Sequence, residues 1–179
     1  IAAAQTGIVQ SGGRVFLQSR RFDRTPLGRV GMVSLEMYDA HYIGIGSQWA
    51  ATAMQTSRAG AESLSAADIQ TLCLLDAFGA LIANTDRHHG NVSLLLHQHR
   101  WQLAPAYDML PMYYAPVAGE VVERDWASQL PRPNAHTLAV WPQARALALQ
   151  FWQSVAEDER VCDAFREVAS MNSGLVQGL

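Results

Sequence analysis

The sequence has 179 residues, which is enough to bury one hydrophobic core of ordinary size. Hydrophobic residues make up 49% of it and charged residues only 16%, so much of the surface is expected to be uncharged or packed on another body. The net charge is −3 and only Arg20, Arg21 and Arg24 cluster, which gives no nucleic-acid signal, and no apolar run reaches the roughly 18 residues of a membrane helix.

The chain opens with IAAAQTG, which has no Met and has the composition of a helix end. Every one of the basic residues is arginine, so the chain contains no lysine. Both features predict the C-terminal part of a longer protein. Because no basic-then-apolar signal peptide opens the chain, we expect a cytoplasmic location.

Two strands are predicted near the start. The segment RVFLQS (14–19) follows an SGG turn and is rich in residues that favour strands, and GRVGMVSLEM (28–37) predicts a second short strand. The segment RRFDRTPLG between them is interpreted as a polar link.

Helices are predicted next. SQWAATAMQTSRAG (47–60) has helical composition with Gly60 as its stop, and SLSAADIQTLCLLDAFGALIAN predicts the strongest helix of the chain. Ser65 and Asp68 form a capping box at its start. Asp76 interrupts the apolar run, and we expect it to face solvent or to have its hydrogen bonds satisfied.

The second half predicts a hairpin and two further helices. VSLLL (92–96) and RWQLA (100–104) form the hairpin, which leads into PAYDMLP, and four prolines predict a loop over 111–141. Helices are predicted over 142–159 and 160–174, the last closed by Gly174. Cys73 and Cys162 are predicted to be buried, unpaired thiols. The order of elements indicates an α+β fold that is mainly helical.

The polar stretch ANTDRHHGN (83–91) and the acid beyond the hairpin hold the candidate chemistry. Asp86 and Asn91 are five residues apart, and the hairpin carries the chain on to Asp108. Phosphoryl transfer from ATP needs a carboxylate that accepts the proton of the attacking hydroxyl, an amide oxygen that holds a metal ion, and a second carboxylate on the metal. Protein kinases show this spacing and order.

Two other interpretations of these residues stay open. A polar run after a helix is common as a helix cap followed by an Asx turn. A metal site is the second, built from the four histidines of the region and able to support metal-dependent hydrolysis: His88, His89, His97 and His99. We expect His88 to orient the loop by hydrogen bonding instead, and the last two to be exposed in the hairpin turn. Tyr107 either fills the core or packs on a nucleotide.

Three motifs in order, SRRFDRT, LIANTDRHHGNVSLLL and WQLAPAYDMLP, resemble the HipA-type serine/threonine kinase toxins over residues from about 7 to about 115. The resemblance implies a protein-kinase-like fold. Residues 1–24 would be the end of the small lobe and the hinge, and residues 25–179 the helical C-terminal lobe.

The resemblance also implies roles for residues. Asp86 would be the catalytic base, and Asn91 and Asp108 would hold Mg²⁺. The groups implied to contact the ATP are the side chains of His88 and Tyr107 and the main chain around Arg21 and Phe22. The implied partners are a protein substrate, in the best-known case an aminoacyl-tRNA synthetase, and a small DNA-binding antitoxin of the HipB type.

The sequence departs from the family pattern at several points. Arg20 stands where members often carry Glu, and Gly90 where they often carry Lys. The phosphate-binding loop and its lysine have no counterpart here, so we expect little or no kinase activity from the isolated chain. Two alternatives remain besides the hydrolase: a lipid kinase, because DRHHGN also matches the Asp-Arg-His-x-x-Asn loop of phosphatidylinositol kinases, and a pseudokinase that binds partners.

Overall fold

The computed structural model describes residues 1–46, 48–120 and 122–179. Ser47, the first residue of the predicted helix 47–60, and Val121, within the predicted loop 111–141, lie outside the described residues. The helices are α1 (Leu35–Tyr42), α2 (Trp49–Ala53), α3 (Ala66–Leu81), α4 (Trp141–Glu157) and α5 (Asp163–Gln177). The strands are β1 (Thr6–Ser11), β2 (Arg14–Ser19), β3 (Arg24–Thr25), β4 (Gly28–Arg29), β5 (Met32–Ser34), β6 (Ser93–His97) and β7 (Arg100–Leu103).

The strands form three small antiparallel sheets: β1 with β2, β3 with β4, and the order β5-β6-β7. The predicted hairpin is therefore confirmed as β6 and β7, and the mixture of helices and small sheets confirms the α+β prediction. The register places Ser34 of β5 opposite Ser93 of β6. Because of this pairing, the start of α1 lies beside the end of the polar loop 83–91.

The core is built around α3. Its buried side chains, including Leu72 and Leu81, pack with Trp152 of α4, which is 0% exposed. The indole Nε1 of Trp152 donates a hydrogen bond to the main-chain oxygen of Leu81 at 3.0 Å. A carbonyl in the last turn of a helix has no partner within that helix, so this bond satisfies and fixes the end of α3. The polar loop begins two residues later.

Local capping explains where α3 and α1 begin. Ser65 accepts the N–H of Asp68 at 3.1 Å, which confirms it as the N-cap of the predicted capping box, and its hydroxyl donates to the Asp68 carboxylate at 2.8 Å. Ser34 accepts the N–H of Met37 at 3.2 Å, and α1 begins at the next residue. The prediction of a strand over 28–37 is therefore wrong beyond Ser34, because a serine cap turns the chain into a helix.

The N-terminal residues do not form a helix end. Ala3 makes a parallel bridge to Ala106, and β1 then pairs along its whole length with β2. The helix propensity of the alanines is outweighed by strand pairing with distant residues. This prediction was wrong, and β1 was not predicted.

Two helices do not end at the glycines where their ends were predicted. The helix predicted over 47–60 breaks after Ala53, and a 3₁₀ segment (Thr56–Glu62) contains Gly60 at φ +57°. Gly174 does not end the last helix, because α5 continues to Gln177 and the Gly174 carbonyl accepts the N–H of Gly178 at 3.2 Å. No described helix is long and apolar enough to cross a bilayer.

The two cysteines differ in environment. Cys73 is 3% exposed on α3, and burial raises the pKa of its thiol to about 11. Cys162 is exposed at the residue before α5, so the prediction of a buried thiol is wrong there. Cys162 is exposed because it lies at the start of a helix beside solvent, although some of its neighbours in sequence are apolar.

This difference predicts selective thiol labelling. The thiolate is the reactive form, so Cys73 is expected to be inert in the folded protein while Cys162 reacts. Titration with an aromatic disulfide reagent should count one fast thiol in the native chain and two after denaturation. Two fast thiols before denaturation would contradict the burial of Cys73.

Candidate functional site

The polar loop leaves α3 through a tight turn. The N–H of Asn84 donates to the carbonyl of Gly79 at 2.9 Å, and Ala83 between them has φ +58°. The loop ends in a 3₁₀ turn (His89–Asn91), and β6 begins after Val92. Asn84, which is 1% exposed, also accepts the N–H of Asp86 at 2.9 Å. An Asx turn therefore sets the backbone at Asp86, as the capping interpretation expected.

Asp86 and Asn91 are in direct contact. The Nδ2 of Asn91 donates to the main-chain oxygen of Asp86 at 2.9 Å and to its Oδ2 at 3.3 Å. Both partners are acceptors, so the nitrogen of the amide and not its oxygen must face Asp86. The other end of the amide, Oδ1, accepts no hydrogen bond from the described residues. An amide oxygen is thus available to a cation beside a half-exposed carboxylate.

Asp108 lies in the loop that follows β7. Its side chain is exposed and makes no hydrogen bond or ion pair within the ranges that the structure describes. Its backbone has φ +56°, a left-handed conformation in which Asp and Asn are enriched among non-glycine residues. The carboxylate is therefore held on a sharp turn with both oxygens available.

Tyr107 joins three parts of the site. Its hydroxyl donates to the carbonyl of Gly90 at 3.1 Å and lies 2.8 Å from the Oγ of Ser93. Its ring lies 5.8 Å from the ring of Phe22, centroid to centroid. The segment around Phe22, the Asp108 turn and the polar loop are therefore brought together by one half-buried tyrosine.

Arg21 does not point its charge into this junction. Its guanidinium forms a two-pronged pair with Asp23, at 2.6 and 2.7 Å. This hydrogen bonding lowers the pKa of Asp23 to about 2, with Arg24 adding a weaker attraction at 3.6 Å. The side chain of Arg21 is thus occupied, which leaves its main chain as the part that a ligand could meet.

His88 forms a hydrogen bond within the loop. Its Nδ1 accepts the N–H of Gly90 at 3.1 Å, so in the neutral ring the proton is on Nε2. Nε2 lies 3.8 Å from Oδ1 of Asp86. The carbonyl of His88 accepts the indole N–H of Trp49 at 3.0 Å. The Nε2–H of His88 therefore faces the Asp86 carboxylate, and the main chain of His88 is fixed by the hydrogen bond from Trp49 of α2.

The histidines do not gather into a metal site. His97 and His99 are exposed at the β6–β7 turn, as predicted, and His89 is buried. Across residues 1–46, 48–120 and 122–179 there is no group of three or more His, Cys, Asp or Glu placed to hold a metal ion. The arrangement does not favour metal-dependent hydrolysis through histidines.

A cleft of about 980 Å³ opens beside Tyr107 and Asp108. Its walls come from β1 and β2 on one side and from α3 and α4 on the other, with Leu17, Phe78 and Phe151 among the apolar contributors. Mostly apolar clefts of this size with a few polar groups at the edge are typical of small-molecule sites. Asp108 supplies such a group.

The sequence family described as "HipA-like C-terminal domain" matches residues 1–174. The chain belongs to this family. The resemblance to HipA-type toxins is thereby confirmed.

Two relatives show how much of a longer HipA-like protein this domain corresponds to. It is 37% identical over 171 residues to "Toxin YjjJ" of Escherichia coli K12, covering 94% of this chain and 38% of that protein. It resembles a HipA of Shewanella oneidensis MR-1, solved with HipB and operator DNA, at a TM-score of 0.65 and 15% identity, over 99% of this chain and 51% of that one. The chain thus spans between about a third and about half of the length of these relatives.

The buried histidine of the HipA-like domain was considered from sequence only as one of four possible metal ligands. His89 is 7% exposed, and its Nε2 lies 2.8 Å from the Oγ1 of Thr52, which donates to Asp39 at 3.3 Å. Because that hydroxyl already donates to a carboxylate, Nε2 of His89 donates to it. The doubled histidine in the sequence marked the position but did not show which ring faces the interior.

His89 predicts a pH dependence of stability. Burial lowers the pKa of His89, so the folded chain keeps the ring neutral where the unfolded chain, with a value of about 6.5, binds a proton. The neutral His89 ring contributes fully to the free energy of unfolding above about pH 6.5. This contribution is lost progressively as the pH falls toward the folded-state pKa of His89. The melting temperature should fall between about pH 7.5 and about pH 5.5 less steeply in His89→Gln than in the wild type. Equal slopes would contradict this.

Proposed function

We propose that the protein is an ATP-dependent serine/threonine protein kinase of the HipA type. The observation that carries the proposal is the Asn91 amide, whose nitrogen contacts Asp86 and whose oxygen is left for a cation. Phosphoryl transfer uses a base and a metal-binding amide, and the contact between Asp86 and Asn91 brings two such groups together in one loop. Membership of the HipA-like family supports the same activity.

Asp86 is the proposed catalytic base. Its side chain is 46% exposed, so a substrate hydroxyl can reach it. Oδ2 accepts a hydrogen bond from Asn91, which leaves Oδ1 as the atom that takes the hydroxyl proton. The N–H of His88 at 3.8 Å faces the same oxygen and is placed to stabilise its negative charge before transfer.

Asn91 and Asp108 are the proposed Mg²⁺ ligands. One amide oxygen and one carboxylate, both without partners among the described residues, fit the oxygen ligands that Mg²⁺ prefers, with phosphates and water completing the shell. When bound, the metal would neutralise negative charge on the transferred phosphate. The hydrogen bonds of Tyr107 to Gly90 and Ser93 tie the residue before Asp108 to residues on either side of Asn91 in the chain.

The nucleotide is proposed to lie against the segment 20–24 and Tyr107, which are neighbours. The main chain around Arg21 and Phe22 would serve as the hinge for adenine, and the rings of His88 and Tyr107 would lie against the nucleotide. Residues 1–24 would then be the end of a small lobe and residues 25–179 the large lobe of a kinase-like fold. The contact between the rings of Phe22 and Tyr107 supports this arrangement.

The proposed partners are a protein substrate and a small DNA-binding antitoxin. The Shewanella HipA was solved in a complex with HipB and operator DNA, which supports the second of these. We expect little or no activity from the 179-residue chain by itself, because it carries no lysine for the phosphates.

The test uses the protein encoded by the complete reading frame. Calorimetry should show ATP binding that depends on Mg²⁺, and incubation with labelled ATP and a cell extract should label protein bands. Phosphatidylinositol vesicles in a parallel reaction distinguish a lipid kinase. If lipid and not protein became labelled, the substrate would be a lipid and the protein-kinase proposal would be wrong. If the protein neither bound ATP nor transferred phosphate, the kinase proposal as a whole would be overturned.

A further inference from the structure

Arg87, the residue after Asp86, reaches back toward α3 and not toward the cleft. Its Nε lies 3.3 Å from Oδ1 of Asp76, and its terminal nitrogen donates to the carbonyl of Asn84 at 2.6 Å. About a quarter of the side chain is exposed (27%). Its planar fork therefore ties the helix to the loop in two directions at once.

Asp76 is the buried acid on which this link depends. Its side chain is 7% exposed on α3, and its Oδ2 accepts the N–H of Ala50 in the first turn of α2 at 3.1 Å. A buried carboxylate needs a charge partner, and among the ion pairs of the described residues Arg87 is the one that it has. The acid therefore fixes both α2 and Arg87 against α3.

The link continues from Arg87 to the backbone of Asp86. Asn84 accepts from Arg87 through its carbonyl and from the N–H of Asp86 through its side chain, at 2.9 Å for the latter. Asn84 is 1% exposed, and its own N–H donates to the carbonyl of Gly79 in α3. Hydrogen bonds therefore run without a break from the helix α3 to the loop, in the order Asp76, Arg87, Asn84 and Asp86.

Gly79 provides the space in which Arg87 lies. A methyl group added at Gly79 would be 2.5 Å from the Cδ of Arg87 and 3.3 Å from the Cε of Met109. A glycine inside a helix costs roughly 0.5–1 kcal/mol relative to alanine. Its position one turn after Asp76 is explained by the arginine that crosses the helix there.

We infer that Arg87, held by Asp76 and accommodated by Gly79, is a positioning residue for Asp86. The inference rests on the proposed kinase function. Arg87 acts through Asn84 and not on the substrate. Displacing it shifts Asp86 relative to the substrate hydroxyl. The backbone of Asn91, whose N–H donates to the carbonyl of His88 at 3.0 Å, and the turn at Asp108, which follows the anchored Tyr107, have supports that do not include Arg87.

The experiment compares three variants in the protein encoded by the complete reading frame. Arg87→Lys keeps the charge but removes the planar fork in which two separate nitrogens contact Asp76 and Asn84. Gly79→Ala displaces Arg87 while improving the helix propensity of α3. Gly174→Ala is the matched control, because a methyl group at that helical glycine meets nothing within 4 Å.

We expect Arg87→Lys and Gly79→Ala to lower kcat by about 10–100-fold, with KM for ATP within about twofold of the wild type. Gly174→Ala should keep wild-type kcat. Wild-type kcat in the first two variants, or a loss matched by a rise in KM for ATP, overturns the positioning role and leaves the kinase proposal intact. A wild type that transfers no phosphate overturns both.

Discussion

Replacing Asp86 with asparagine is expected to lower phosphoryl transfer about 10²–10⁴-fold, the contribution usual for a general base. The amide oxygen can still accept from Nδ2 of Asn91, so the loop geometry is kept, but it cannot take the proton of a substrate hydroxyl. Single-turnover transfer from labelled ATP measures the loss. Calorimetry on the same variant should show Mg²⁺-dependent ATP binding close to that of the wild type.

The matched control for Asp86→Asn is Glu159→Gln, which makes the same chemical change at an exposed acid between α4 and α5. It should transfer phosphate at the wild-type rate. If Asp86→Asn did so too, Asp86 would not be the base, and the polar loop would be a helix cap with a metal-binding amide.

Asp108→Asn is expected to reduce Mg²⁺-dependent ATP affinity on the order of 10²-fold, because it removes a charged ligand of an ion whose electrostatic effect is several kcal/mol. Asparagine tolerates the left-handed backbone at φ +56° as aspartate does, so the turn should remain folded. Calorimetric titration with ATP, with Mg²⁺ and then with a chelator, measures the effect.

The chelator separates a ligand role from a structural one. Without Mg²⁺, wild type and Asp108→Asn should bind ATP with the same weak affinity. An affinity loss of equal size with and without the metal would show that Asp108 supports the cleft and does not hold the ion.

Features set by neighbours in sequence were predictable. The start of α3 follows from Ser65 and Asp68, three residues apart, and the β6–β7 hairpin follows from two strand-like runs around a short turn. The pairing of Asp86 with Asn91 belongs to the same class, since both sit in one short loop. The spacing predicted which residues belong together, and the structure adds which atoms meet.

Features set by distant residues were not predictable. The pairing of Ala3 with Ala106 replaces the helix that the alanines favour locally. The contact of Tyr107 with Phe22, and the burial of His89 against Thr52, depend on packing between segments far apart in the chain. No local pattern in a single sequence encodes which of two adjacent histidines turns inward.

The bond from Trp152 to Leu81 has a consequence for biosynthesis. The two residues are 71 positions apart, so a nascent chain emerging from the ribosome holds the whole polar loop well before it holds the tryptophan. Until α4 emerges and packs, the carbonyl at the end of α3 lacks this hydrogen bond, and the loop that follows lacks one of its supports. Domains fold as units during translation, so the polar loop would be held in its folded position only after α4 has emerged.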